Sequence, residues 1–305
     1  ELGHSASGIF APLLAGALLA FIGLAGILII DIVTFVFAIG ALFFVYIPQP
    51  EISEAGREGT GNLWQESAYG FRYIFARRSL LGLQLVFTIG NFFATLGLTL
   101  LAPMILARTG NNEMVLGTVQ SAGAVGGVVG GLLMSSTGGL RRRIHGVLAG
   151  WILGSLFGEA LLGLGQSLPV WIVASFIFAF FVPLINASNQ SIWQSKVMPD
   201  VQGRVFSVRR MIAIVVVPIA QLLAGPLADQ VFEPAMMPGG NLVPVFGSLV
   251  GVGPGGGMAL ILVIVGLLAA STGLIGYAVR TIRNVEDLLP DHDAVAEGVK
   301  GRAPA

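Results

Sequence analysis

Cysteine is absent from this chain, which excludes disulfides and thiolate metal sites. Charge is scarce as well: Asp, Glu, Lys and Arg make up 10% of the 305 residues, against roughly 25% in an ordinary soluble domain. Sixteen basic and sixteen acidic side chains cancel, so no net field draws in nucleic acid. Histidine occurs only at His4, His145 and His292, near ends or loops. There is no His-Glu-x-x-His, no Asp-rich motif and no P-loop, so neither a metal-dependent enzyme nor a built-in ATPase is indicated. No metal, no cofactor and no enzymatic activity are expected. Rings of charge and filter-like stretches, the marks of a channel, are lacking too.

What the chain does have is apolar surface. Hydrophobic residues make up 55% of it and the mean hydropathy is +0.86. With so little polar side chain to face water, the lipid bilayer is the expected solvent. The 43 glycines fit that setting, because small residues let helices approach closely in lipid. The chain opens on Glu1, without a recognisable signal peptide, and reads as part of a longer protein.

A spanning helix needs about 20 mostly apolar residues. Residues 5–47 carry one charge, Asp31, and divide at "FIGLAG" into helices over 5–21 and 26–47. Further spans are expected at 80–106, 114–136, 145–165, 169–195, 209–231 and 257–279. The predicted fold class is an all-α polytopic membrane bundle with eight transmembrane helices.

Basic residues are distributed unevenly between the loops. Fifteen of sixteen Lys and Arg fall in alternate loops or the tail, from Arg57, Arg72, Arg77 and Arg78 to Arg280, Arg283, Lys300 and Arg302. Only Arg108 lies on the other face. The positive-inside rule makes those loops, and both ends of this chain, cytoplasmic. The linker 48–79 ends in an amphipathic segment with Trp64, Phe71 and Phe75 on one side, expected to lie on the inner membrane surface. The outer segment 232–256, rich in Gly and Pro, reads as a lid or re-entrant loop.

Two segments resemble each other. Set against "PIAQLLAGPLAD" (218–229), "IFAPLLAGALLA" (9–20) gives six identities in twelve at an offset of 209. Internal repeats of this kind occur in secondary transporters. If the offset is the repeat length, four further helices precede Glu1, and this chain holds the last eight of twelve. The expected division is then 1–47 as the last two helices of one half and 48–79 as a linker. A six-helix bundle over 80–282 and a tail over 283–305 complete it.

Three stretches resemble the major facilitator superfamily, and within it the drug-exporter branch that contains macrolide efflux proteins and the enterobactin exporter. "MPDVQGRVFSVRRM" (198–211) resembles the branch's loop between its tenth and eleventh helices, "LIIDIVTFVFA" (28–38) its sixth helix, and "RNVEDLLPDHD" (283–293) its tail. The resemblance implies a secondary exporter in a bacterial cytoplasmic membrane. Such a protein moves a small molecule by alternating access, with protons as coupling ion, and gives Gly203 and Arg204 a gating or packing role. The superfamily's antiporter motif, Gly-x-x-x-Gly-Pro-x-x-Gly-Gly, falls on Ser7, Ala11, Pro12, Ala15 and Gly16 in altered form. Pro12 and Gly16 would make a bent, closely packed helix, whether as a seal or as an ordinary kink. At 136–146 the superfamily's acid is missing from the loop motif, leaving Arg141, Arg142 and Arg143 as topology anchors.

Several residues could carry a mechanism. Gly123, Gly127 and Gly131 share one helix face, with Gly126 and Gly130 alongside, giving either a sliding or a static interface. Asn186, Asn189, Gln190 and Gln194 form a polar stripe beyond Pro183, and amides in lipid must face protein or a watery cavity. The resemblance implies that this helix lines the central cavity, so Asn186, Asn189 and Gln190 are substrate candidates, with Asn91 and Gln221 on neighbouring helices. The alternative is interhelical hydrogen bonding. Glu159 is the only acid between Gly146 and Val197. An intramembrane acid marks function by default, so Glu159 and Asp31 are proton-coupling candidates; a buried ion pair or outer-leaflet hydration are the alternatives for Glu159. Asp229 is read as facing water.

Overall fold

The structure, a computed structural model, describes residue 26 and residues 28–41 and 63–292. The expected span 5–21, with Pro12 and Gly16, lies outside the described residues. Of the expected span 26–47, the helix α1 (Leu28–Ala41) is described. From Leu28 to Ile39 every side chain of α1 is exposed, Asp31 included.

Among the described residues six helices are long and apolar enough to cross a membrane: α3 (Arg78–Arg108), α4 (Glu113–Thr137), α5 (Arg143–Leu164), α6 (Leu168–Lys196), α7 (Pro199–Met236) and α9 (Gly256–Ala278). Before them comes α2 (Leu63–Ala76), and α8 (Val243–Val250) lies between α7 and α9. Two single turns, α10 (Arg280–Arg283) and α11 (Val285–Leu288), follow α9. Among the described residues there is no strand. The boundaries of α3, α4, α5, α6 and α9 fall within about two residues of those expected from hydropathy alone.

The seventh helix is different. The segment 198–211, expected to be a loop, is the opening of α7, which runs 38 residues to Met236. Pro199 sits in the first turn, where a missing N–H costs nothing, and Asp200 faces the positive end of the helix dipole. Buried Val201, Val205 and Val208 repeat at helical spacing. At 1.5 Å per residue α7 extends about 57 Å, against a hydrocarbon core of about 30 Å.

Against that overhang packs α2. Tyr69, Tyr73 and Ile74 are buried, and at Gly70 an added β-carbon would meet the Arg204 carbonyl oxygen and Val208. The Tyr73 hydroxyl donates to the Lys196 carbonyl at 3.4 Å, and burial pushes its phenol above the ordinary tyrosine range. The face that packs on α7 is thus a different one from the aromatic face expected to meet the membrane. Phe71 and Phe75 stack on each other at 6.4 Å with Phe75 exposed; the side chain of Trp64 lies outside what is described.

Glycine sets the helix spacing around α6. Gly146, Gly150, Gly154 and Gly158 climb α5 in steps of four and meet Ser188, Ile185, Phe181 and Phe178 of α6 in antiparallel order. On the other side Gly123 meets Ser175, while Gly126 and Gly130 meet the carbonyl oxygens of Phe176 and Phe180. In lipid such backbone approach, with its dispersion contacts, takes the place of hydrophobic association.

Both ends of the bundle are tied. At the basic end Glu286 caps α5, accepting from the backbone N–H of Arg143 at 3.2 Å and of Ile144 at 3.0 Å. The ammonium of Lys196 donates to the carbonyls of Glu286 (2.6 Å) and Leu289 and pairs with Asp291 at 2.8 Å. Arg142 pairs with Asp287. At the opposite end Arg108 donates to the carbonyls of Gly165 (2.8 Å), Gly255 (3.3 Å) and Val250. There Glu233 accepts from the N–H groups of Gly255 (3.1 Å) and Met258 (2.9 Å), capping α9. The segment expected as a lid or re-entrant loop thus contains α8 and is pinned by one arginine and one glutamate. The basic loops do gather at a single end of the helices, away from Arg108.

Candidate functional site

On α3 the polar residues Gln84, Thr88, Asn91 and Thr95 stand at steps of four, three and four, which places them along one face. The lower pair is buried. Gln84 donates to the Thr88 hydroxyl at 3.1 Å and to the carbonyl of Arg209 at 3.2 Å. The upper pair, half-buried, opens into a cavity of about 150 Å³.

Asn186 of α6 lines that same cavity, together with Ser155 and Trp151 of α5 and the apolar side chains Leu98, Phe178 and Val182. A second depression, of about 420 Å³, shares Leu98, Phe178 and Val182 and adds Gln120, Gly123 and Gly127 from α4. Together they form a concave, mostly apolar surface between α3, α4 and α6, carrying three separated amides: Asn91, Gln120 and Asn186. A site of this kind holds an apolar body by shape and fixes it with a few polar contacts.

The other amides on the α6 stripe have different surroundings. Asn189 has no exposure, and neither its side-chain oxygen nor its nitrogen has a hydrogen-bond partner. Gln190 accepts a hydrogen bond from Arg209 at 2.7 Å. Gln221 is exposed on α7, amid exposed Leu222 and Leu223, and lines neither depression. Gly127 lines the second depression and Gly131 is buried in α4, but the closest approaches to α6 are made by Gly126 and Gly130, the glycines read as flanking. Gly203 is exposed with nothing near its Cα, while the guanidinium of Arg204 stands 3.6 Å from the Glu66 carboxylate. Asp229 is exposed.

Glu159 is 2% exposed and neither carboxyl oxygen has a hydrogen-bond partner. It lies in a turn of π-helix, Ser155–Ala160, that interrupts α5. Single π turns inside α-helices recur at functional sites. One oxygen of Glu159 fills the space a β-carbon on Gly97 of α3 would occupy, next to Leu262 of α9. Of the two alternatives drawn from sequence, the buried pair is not formed among the described residues. One turn back on α5, Ser155 lines the cavity, and its hydroxyl is buried without a partner as well. Glu159 itself, packed between Gly97 and Leu262, is not among the residues that line the cavity.

Sequence reasoning missed Thr95, Gln120 and Ser155, and with them the α5 glycine ladder. The ladder's four-residue spacing and the α3 polar stripe were both readable signals. Gln120 and Ser155 are single polar residues whose placement depends on helix packing.

Comparison with known proteins gives the family. The chain is 26% identical over 235 residues to Macrolide efflux protein A of Streptococcus pyogenes, a match covering 75% of this chain and 56% of the relative. It is 27% identical over 223 residues to Macrolide efflux protein A of Enterococcus faecalis, covering 71% and 67% respectively. The chain thus spans about half the length of the Streptococcus pyogenes relatives it matches. No solved structure matches it. Residues 1–215, more than half of the chain, fit the sequence profile of the Major Facilitator Superfamily, to which this protein therefore belongs.

Proposed function

We propose that this protein works as a secondary active exporter, moving drugs or other small amphiphilic molecules, macrolide- or siderophore-like, by alternating access driven by protons. The observation that carries the reading is the concave surface shared by α3, α4 and α6, apolar except for Asn91, Gln120 and Asn186. Neutral amides on an apolar wall suit an amphiphile of variable shape. The efflux names of the relatives support the direction of transport. In this proposal the division read from sequence is kept: two helices of a first half in 1–47, a linker in 48–79, a six-helix half in 80–282 and a tail in 283–305. The basic loops and both ends of the chain face the interior of a bacterial cell, because the basic residues collect at one end of the bundle.

Glu159 supplies the proton site in this scheme. Its carboxyl group exchanges a proton when water enters the cavity from one side and then the other. Ser155, on the cavity wall and one turn from Glu159 along α5, is the proposed bridge between them. Asp31, exposed on α1, is the second candidate.

The rival readings are an inactive relic or a membrane scaffold. The test is efflux from cells stripped of their own pumps, across a panel of macrolides, siderophores and cationic dyes, with the gene expressed in its natural reading frame. Energised efflux of at least one compound, abolished by a protonophore, is expected. Absence of efflux across the whole panel at normal protein levels would remove the exporter reading.

A further inference from the structure

Arg209 was counted from sequence only as one of the topology-setting charges, but its surroundings are unusual for one. The side chain is half-buried between α6 and α7. Its guanidinium carbon stands 5.2 Å from the ring centroid of Trp193 and 5.7 Å from that of Phe206, so aromatic rings cover its faces. One N–H is spent on the Gln190 side-chain oxygen at 2.7 Å. A guanidinium carries five N–H donors, and among the described residues the bond to Gln190 is the one side-chain hydrogen bond Arg209 makes.

No carboxylate answers this charge. Among the described residues the ion pairs are Arg142 with Asp287, Lys196 with Asp291, and Arg204 with Glu66. The indole N–H of Trp193, fully buried beneath the guanidinium, is also without an acceptor. The nearby Gln84 spends its own N–H groups on Thr88 and on the Arg209 carbonyl. The Gln84 side-chain oxygen is buried without a partner, but no carboxylate among the described residues pairs with the guanidinium, so the positive charge is uncompensated. Burying such a charge is expensive unless it is paired. Cation–π contact offsets part of that cost but acts on the faces of the guanidinium and does not engage its edge, where the donors project.

We infer that Arg209, steadied by Gln190 and flanked by Trp193 and Phe206, is a binding site for an anionic oxygen group, a carboxylate or phosphate on an amphiphile. The planar fork of arginine suits such a group in a way an ammonium does not. Gln190 lies one helical turn from Asn186, which lines the cavity, and in this proposal an apolar tail runs from the bound anionic group toward that cavity. The group has two sources, a phospholipid headgroup or an acidic compound in transit. The second source rests on the exporter reading; the first does not.

The test uses the whole chain purified in an uncharged detergent, with binding read from the shift in thermal unfolding. Dihexanoyl-phosphatidylglycerol is compared with dihexanoyl-phosphatidylcholine, and laurate with methyl laurate. Wild type is expected to bind an anionic probe and not its neutral or zwitterionic counterpart, with affinity falling at least tenfold in Arg209→Gln. Preference for phosphatidylglycerol identifies a lipid site; preference for laurate identifies an acidic cargo. Equal affinity of wild type and Arg209→Gln for both anionic probes overturns the inference, as does wild-type binding that ignores probe charge. Should Arg209→Gln fail to fold, Arg209→Lys decides: it keeps the charge and loses the fork, so a severalfold weaker anionic affinity supports the site and an unchanged one overturns it. Since binding is read without transport, missing efflux would defeat the exporter proposal and leave this one intact.

Discussion

A carboxyl oxygen of Glu159 occupies the volume that a β-carbon on Gly97 would need. The two residues, on α5 and α3, are therefore coupled sterically. Gly97→Ala is expected to destabilise the protein by about 1–3 kcal/mol, the usual cost of overpacking. Most of that loss should disappear when the change is made in a Glu159→Ala background. A double-mutant cycle by thermal unfolding in detergent measures the coupling; additive losses would show that the contact is absent.

Glu159→Gln keeps the shape of the side chain and removes the exchangeable proton. Under the proton-coupled proposal it should abolish efflux driven by a pH jump while cargo still binds. Retention of pH-driven efflux in the variant would assign coupling elsewhere, with Asp31 next in line.

Asn91 and Asn186 face one cavity from two helices. Replacing both with Ala should lower efflux severalfold at unchanged protein level. By contrast Gln221→Ala, on an exposed stretch of α7, should leave it near wild type. Equal effects of the two changes would mean that the cavity does not bind the cargo.

The glycines of α4 are not equivalent. At Gly126 an added β-carbon meets the Phe176 carbonyl, whereas at Gly117 it meets nothing within 4 Å. Gly126→Ala should destabilise by about 1–3 kcal/mol through overpacking. Gly117→Ala should be neutral or stabilising by up to about 1 kcal/mol, as expected for relief of a helical glycine. Melting temperatures of the two variants provide the check.

At the basic end, the hydrogen bond from Lys196 holds the Asp291 carboxyl below the ordinary aspartate range, with burial opposing in part. A group whose pKa is depressed on folding adds stability above its unfolded pKa and loses it as pH falls through the folded value. Wild type should therefore be the more stable of the pair, against Asp291→Asn, at neutral pH. The difference should shrink to nothing as the pH drops below the carboxylate range. Because Asp291 is mostly exposed, the effect should be small.

Five of the six spans were legible from hydropathy because apolar length alone decides them. The start of α7 was not: Pro199, Asp200 and Gly203 read as loop residues, and the Val201, Val205 and Val208 stripe that makes the segment helical was given too little weight. For the site, the helices bearing Asn91 and Asn186 were readable from the residues, but their meeting in one cavity depends on how α3 and α6 pack. Glu159 was the hardest to place. A π turn adds about one residue, and Glu159 lies within that turn, so a regular helical wheel drawn through α5 misplaces this acid. Asn189 illustrates the converse, since its stripe position suggested a cavity contact and the structure encloses it completely.

The overhang of α7 has a mechanical meaning. A rod anchored in a slab half its length magnifies any tilt at its free end, and α2 is fastened to that end through Gly70, Arg204 and Val208. A few degrees of rocking within the bilayer would displace α2 by about 2 Å. Under the alternating-access proposal, α2 would therefore register movement of α7 from outside the membrane.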